Sequence, residues 1–115
     1  MTDKVLQLAL AQLNFKVGDL TANLAKIGEA LDEVSQSAPE CELVIFPELA
    51  LTGYPLEDLV NRPDFFLELE SIEPALLKLS KKRPFLLGRP VHHAGAIYNA
   101  VSLYAAGEIV STYHK

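Results

Sequence analysis

Three short apolar runs in this chain are separated by two segments of helical period, and that alternation constrains the fold more than any other feature. Residues 4–14 begin with alternation at Val5 and Gln7 and then become almost wholly apolar, which predicts a first strand buried on at least one face, with both expected. Leu20, Leu24, Ile27, Leu31 and Val34 recur at steps of four and three. They form one stripe of an amphipathic helix, with Lys26, Glu29, Asp32 and Glu33 left for water. Asp19 or Thr21 can cap it by offering a side-chain oxygen to unpaired N–H groups, and Ser35–Glu40, containing Pro39, should end it. Leu43–Phe46 read as a second strand, stopped by Pro47. After a turn at Gly53–Pro55, Glu57–Asn61 suit a short helical turn, and Pro63 suits the first position of a second helix. Phe65, Phe66, Leu69 and Ile72 supply its apolar face, and Pro74 is expected to kink or restart it. Leu76, Leu77 and Leu79 continue to Lys81-Lys82-Arg83, a basic cluster that fits the negative end of a helix dipole. Phe85–Leu87 read as a third strand, closed by Gly88-Arg89-Pro90.

Ala96–Tyr104 and Glu108–Tyr113 read as two more strands, and the tight turn Ala105-Ala106-Gly107 makes them an antiparallel hairpin. Strand, helix, strand, helix, strand and then a hairpin is an α/β layered architecture. The 115 residues suffice for one small domain. Half of them are hydrophobic and 22% are charged, so the chain can bury a core and is not disordered. A net charge of -5 argues against a nucleic-acid partner, and Lys81-Lys82-Arg83 is too short for a basic patch. No stretch approaches the roughly 18–20 apolar residues a membrane span needs. The beginning, with Asp3 and Lys4, lacks a signal-peptide pattern, and the expectation is a cytoplasmic protein. A single cysteine, Cys41, suits that compartment.

In open α/β sheets, ligands bind outside the carboxyl ends of the strands. Glu48 lies just past the second strand and Lys115 just past the fifth, after Tyr113-His114. Delivered to one edge, the two would push each other toward their charged forms, while burial would push the opposite way. On pattern alone Glu48 is equally a catalytic carboxylate or a solvated acid at a strand end. Cys41 precedes the second strand, near the opposite edge, where a small buried hydrophobe is the expectation. His92 and His93 are adjacent, so their side chains point apart, and no third ligand stands at a metal-binding spacing. A solvated loop is the expectation for them. The His114 side chain should face away from Lys115. No P-loop or GxGxxG pattern occurs. Asp58 and Arg62, four apart, suit a surface ion pair.

The stretch VIFPELALTGYP, residues 44–55, resembles the glutamate motif of the nitrilase (carbon-nitrogen hydrolase) superfamily. LALAQLNFKVGDLTANLAKI is similar to its first strand and helix. GRPVHHAGAIYNAVSLYAAGEIVSTYHK is similar to its glycine-ended strand, its YNA-containing hairpin and its lysine motif. The extension TGYPLEDLVNRPDF narrows the resemblance to the N-terminal glutaminase domains of glutamine-dependent NAD+ synthetases. What this implies is a partial α-β-β-α sandwich of the nitrilase type and a Glu-Lys-Cys triad. Glu48 would be the general base, Lys115 would hold the tetrahedral oxyanion, and Tyr54 would line the glutamine pocket. The implied parent hydrolyses glutamine and passes ammonia to a synthetase domain, which amidates deamido-NAD+ at the expense of ATP. No cofactor falls in this segment. ATP and Mg2+ would belong to the synthetase domain, and the partners would be glutamine, deamido-NAD+ and ATP, with no nucleic acid or membrane. The family also implies a homo-oligomer. Its cysteine lies some tens of residues beyond the lysine, so residues 1–115 are expected to be an N-terminal portion of the domain, inactive alone and exposing apolar sheet surface. Two other readings stand beside this one: a free-standing amidase with another substrate, and a non-catalytic domain of the same fold.

Overall fold

Leu43–Ile45 (β2) lies between two parallel neighbours, Leu8–Leu10 (β1) and Phe85–His93 (β3), in a computed structural model that describes residues 5–54, 59 and 61–115. β3 pairs antiparallel with Ala96–Ala105 (β4), and β4 with Glu108–His114 (β5). The sheet therefore runs β1-β2-β3-β4-β5 in sequence order. The parallel steps are bridged by Leu20–Ser37 (α1) and Pro63–Leu79 (α2). This mixed α/β sheet with its two helices is the architecture expected of a partial sandwich.

The apolar stripe of α1 is buried at Leu20, Ile27 and Leu31, and Asp19 caps the helix by accepting from the Ala22 N–H at 3.0 Å. α2 buries Phe65, Leu69 and Leu76. Both meet one face of the sheet, whose central row is Val44, Phe85 and Tyr104, all fully buried. Phe85 and Tyr104 stack at 4.9 Å between centroids. Burying side chains of this size contributes about 1.5–3 kcal/mol each. Beyond that row the core turns polar. Arg89 pairs with Glu73 of α2 at 3.1 Å, and the Tyr104 hydroxyl donates to the other Glu73 oxygen at 2.9 Å. Burial pushes the Tyr104 phenol well above its usual range.

Three expectations about these elements need correction. β1 is much shorter than residues 4–14, and Lys4 lies outside the described residues. Its burial is one-sided, within the expectation of at least one buried face: Leu8 and Leu10 are 48% and 66% exposed, because the face opposite the helices is uncovered among the described residues. Ile97 and Tyr113 lie on that same face by register and are also exposed. β3 does not stop at Gly88-Arg89-Pro90 but runs to His93 in unbroken register with β4, where Pro90 faces Asn99. As expected, α1 ends within Ser35–Glu40, at Ser37. α2 passes through Pro74 without restarting, since packing at Leu69 and Leu76 outweighs one missing helical hydrogen bond. The turn expected at Glu57–Asn61 and the Asp58–Arg62 pair fall largely outside the described residues; Arg62 pairs with Asp64 at 3.3 Å.

The β4–β5 hairpin forms as expected. Its turn residues Ala106 and Gly107 both have positive φ (53° and 84°), as do Ala94 and Gly95 between β3 and β4 (49° and 80°). Such turns match the right-handed twist of paired strands. No helix among the described residues is long and apolar enough to cross a membrane.

Candidate functional site

β2 ends for a local reason. The Phe46 N–H donates to Leu86 at 3.0 Å, and Pro47 then has no N–H to continue the ladder. The chain folds into overlapping turns, with Ala50 N–H donating to Pro47 and Gly53 N–H to Leu49. Leu49 takes a left-handed conformation (φ 51°), unusual for a bulky residue. It is held there because its side chain is buried and its carbonyl accepts from Thr52 N–H, Gly53 N–H and the Thr52 hydroxyl. This reversal sends Leu49 inward and leaves Glu48 outside.

The loop sits on a tightly fitted floor. A Cβ at Gly88 would lie 2.5 Å from the Leu49 nitrogen, so β3 admits the loop only because that residue has no side chain. Gly53 presses equally closely on the β1–α1 turn, where a Cβ would come within 2.6 Å of the Val17 backbone. Asn23, fully buried on α1, joins the two segments. Its amide nitrogen donates to the carbonyls of Lys16 (2.7 Å) and Leu51 (3.0 Å), and its oxygen accepts from the Lys16 N–H (2.7 Å).

Glu48 and Lys115 are brought together, with Lys115 Nζ 3.3 Å from Glu48 Oε1. The Lys115 N–H donates to the Asn99 carbonyl at 2.8 Å, which sets the end of β5 beside Asn99 on β4. The Asn99 amide also donates to Glu48 Oε1. These contacts hold the Glu48 carboxyl below the usual carboxylate range, first through the Asn99 hydrogen bond and then through the hydrogen bond and charge of Lys115. Both charged side chains are substantially exposed, so solvent screens their attraction. A cleft of about 310 Å³ opens beside them, walled by Phe46, Pro47, Gly88, Val101 and Tyr113. On the other flank of Glu48 a groove of about 160 Å³ runs between Leu13–Phe15 and Tyr54.

Tyr54 is mostly exposed and lines that second groove. Cys41 is buried before β2, at the opposite end of the strand from Glu48, with its Sγ directed at the Leu43 carbonyl. His92 and His93 lie on β3, not in a loop, because that strand extends to His93. His92 stacks on Phe66 at 3.9 Å, whereas His93 lies 5.0 Å from His114. His114 stacks on Tyr98, away from the Glu48 cleft. Asn99 is the residue that sequence reasoning passed over. Its signal is an amide on the same face as Val101 and Leu103, at a position where the strand pattern calls for an apolar residue. The arrangement offers an ionised carboxylate able to take a proton and an ammonium able to stabilise a developing anion.

The family model for carbon-nitrogen hydrolase matches residues 7–115. The chain is 35% identical over 115 residues to a glutamine-dependent NAD(+) synthetase of Xanthomonas campestris, covering 100% of this chain and 21% of that protein. It is 36% identical to the Aquifex aeolicus protein of the same name, covering 96% of this chain and 19% of that one. It thus spans about a fifth of the length of the curated relatives it matches. Among solved structures, the glutamine-dependent NAD+ synthetase of Acinetobacter baumannii superposes with a TM-score of 0.86 at 28% identity, over 94% of this chain and 20% of that one. An amidase from Nesterenkonia superposes at 0.83 with 19% identity, over 96% of this chain and 42% of that one, a likeness of fold.

Proposed function

The chain belongs to the carbon-nitrogen hydrolase family, and from that premise we propose that it is the N-terminal portion of the glutaminase domain of a glutamine-dependent NAD+ synthetase. The observation that carries the reading is the Glu48–Lys115 pair beyond the carboxyl ends of the strands, in a chain similar along its whole length to such synthetases. Glu48 would take the proton of a thiol nucleophile, making the thiolate that attacks the amide carbon of glutamine. The Lys115 ammonium would stabilise the tetrahedral oxyanion more strongly than the starting carbonyl, and so lower the barrier. The proton held on Glu48 would then pass to the departing ammonia, leaving a thioester for water to hydrolyse. Tyr54 would contact substrate from the second groove.

The nucleophile would come from outside these 115 residues. Buried Cys41, at the far end of β2, is not placed to reach a substrate beside Glu48. Cys41→Ala is therefore expected to leave glutamine turnover of the full-length protein within about twofold, at a stability cost of about 1 kcal/mol. A loss of more than tenfold in a folded variant would restore Cys41 as a candidate nucleophile. ATP and Mg2+ do not fit this chain. It has no phosphate-binding glycine loop, and among the described residues no three His, Cys, Asp or Glu side chains gather as metal ligands. Both are assigned to the synthetase domain, as is deamido-NAD+.

The test is to supply the full-length protein with glutamine, deamido-NAD+, ATP and Mg2+ and to follow glutamate and NAD+ together. Matched release of glutamate and NAD+ is expected. Absence of glutamate would overturn the reading, and fast hydrolysis of simple amides without NAD+ formation would favour a free-standing amidase.

A further inference from the structure

Two donors, Asn99 Nδ2 and Lys115 Nζ, converge on the same Glu48 oxygen, Oε1. Among the described residues no hydrogen bond reaches Oε2. From this geometry we infer that Asn99 is a positioning residue for the base: it anchors Oε1 and so makes Oε2 the atom that receives the proton. The inference rests on the reading of Glu48 as general base.

The two donors are not equivalent. Lys115 holds Oε1 with one of three N–H bonds, at 3.3 Å, on a side chain that is 73% exposed. When its ammonium turns to a developing oxyanion, that hold weakens. Asn99 is half-buried in β4, and its carbonyl is occupied by the Lys115 N–H. A neutral amide cannot follow a new negative charge as an ammonium can, so it keeps the carboxylate fixed while Lys115 serves the substrate. A carboxylate partner also determines which way the amide faces, because the Asn99 oxygen could only repel Oε1. Asn99 therefore places both charged groups, one through its side chain and one through its backbone.

Among the described residues, Tyr113 lines the same cleft and Tyr54 the groove on the other flank, and no charged side chain besides Glu48 and Lys115 lines either. The Asn99 amide favours the ionised carboxylate, so removing it makes the carboxylate harder to ionise. The loss of base then occurs at higher pH.

The test is the pH dependence of kcat/KM for glutamine in the full-length protein, for wild type, Asn99→Ala and Asn99→Thr. Asn99→Ala should lower the plateau by about a hundredfold through misplacement of the carboxylate and move the acid limb to higher pH. Asn99→Thr, which keeps a donor and a strand-forming backbone, should fall between the two in both respects. A carboxyl titration of Glu48 by carbon-13 NMR, in the same three proteins, should rise in the same order. A normal acid limb and an unmoved Glu48 titration in folded Asn99→Ala would overturn the inference, as would Asn99→Thr behaving like Asn99→Ala. Glu48→Ala separates the two readings. Retained turnover in that variant defeats the role of Glu48 as base. An unmoved titration in Asn99→Ala, with Glu48→Ala inactive, defeats only the role of Asn99.

Discussion

Glu48→Gln should lower glutamine turnover by about a hundred- to ten-thousand-fold while leaving the fold and the cleft in place. Glutamine keeps the length of the side chain and an oxygen able to accept from Asn99 and Lys115, so the two donors keep a partner. What is lost is the negative charge and the ability to hold a proton. Without a base, only the small thiolate fraction present at neutral pH can attack. Part of the loss should therefore be recovered as pH rises and the thiol ionises unaided. In the wild type the carboxyl titrates below its usual range. The base form therefore persists into moderately acid solution and is lost only when pH falls through that lowered value. The measurement is a pH–rate profile for both proteins. Turnover like wild type near neutrality, or a loss that does not shrink in alkali, would remove Glu48 from the role of base.

Asn23→Leu is expected to destabilise the protein by about 2–4 kcal/mol, although the substitution keeps the branched shape and adds apolar surface. The Asn23 side chain is fully buried and makes three hydrogen bonds to backbone groups. Replacing it leaves the Lys16 N–H, the Lys16 carbonyl and the Leu51 carbonyl without partners. A buried orphan of this kind costs about 1–3 kcal/mol. Water can reach Lys16, so the full sum is not realised, but Leu51 is fully buried and its carbonyl bond lies in the interior. Urea unfolding should show a lower midpoint with an unchanged slope. A change below 1 kcal/mol would mean that the two loops do not depend on this amide. Because Leu51 lies three residues from Glu48, a loss of turnover should accompany the loss of stability.

The element order was legible because each element carries its own signal. The stripe from Leu20 to Val34 has a helix period, and the pair of strands around Ala106-Gly107 has a turn that suits a hairpin. Glu48 was legible as an edge carboxylate, since Pro47 marks where β2 must stop. What could not be read depends on partners distant in sequence. Leu8 and Leu10 look like core residues, but whether an apolar residue is covered depends on where the helices lie. Gly88-Arg89-Pro90 looks like punctuation, yet the strand survives because Gly88 makes room for the Glu48 loop and Arg89 finds Glu73 on α2. Asn99 and Asn23 are ordinary polar residues until the loops they bind are in place. The YNA segment marked the strand that carries Asn99, but only the convergence of two donors on one oxygen gives that residue a role.

The close contacts at Gly88 and Gly53 bear on how this cleft could be redesigned. On the side of β3 and the β1–α1 turn, backbone lies on backbone, and even a methyl group displaces the loop that carries Glu48. The shape of the cleft cannot be changed there without moving the carboxylate. Val101 and Tyr113 reach the cleft from the hairpin as side chains standing on an open sheet face. There the cleft wall changes with the side chain alone, whereas at Gly88 and Gly53 it changes only with the backbone.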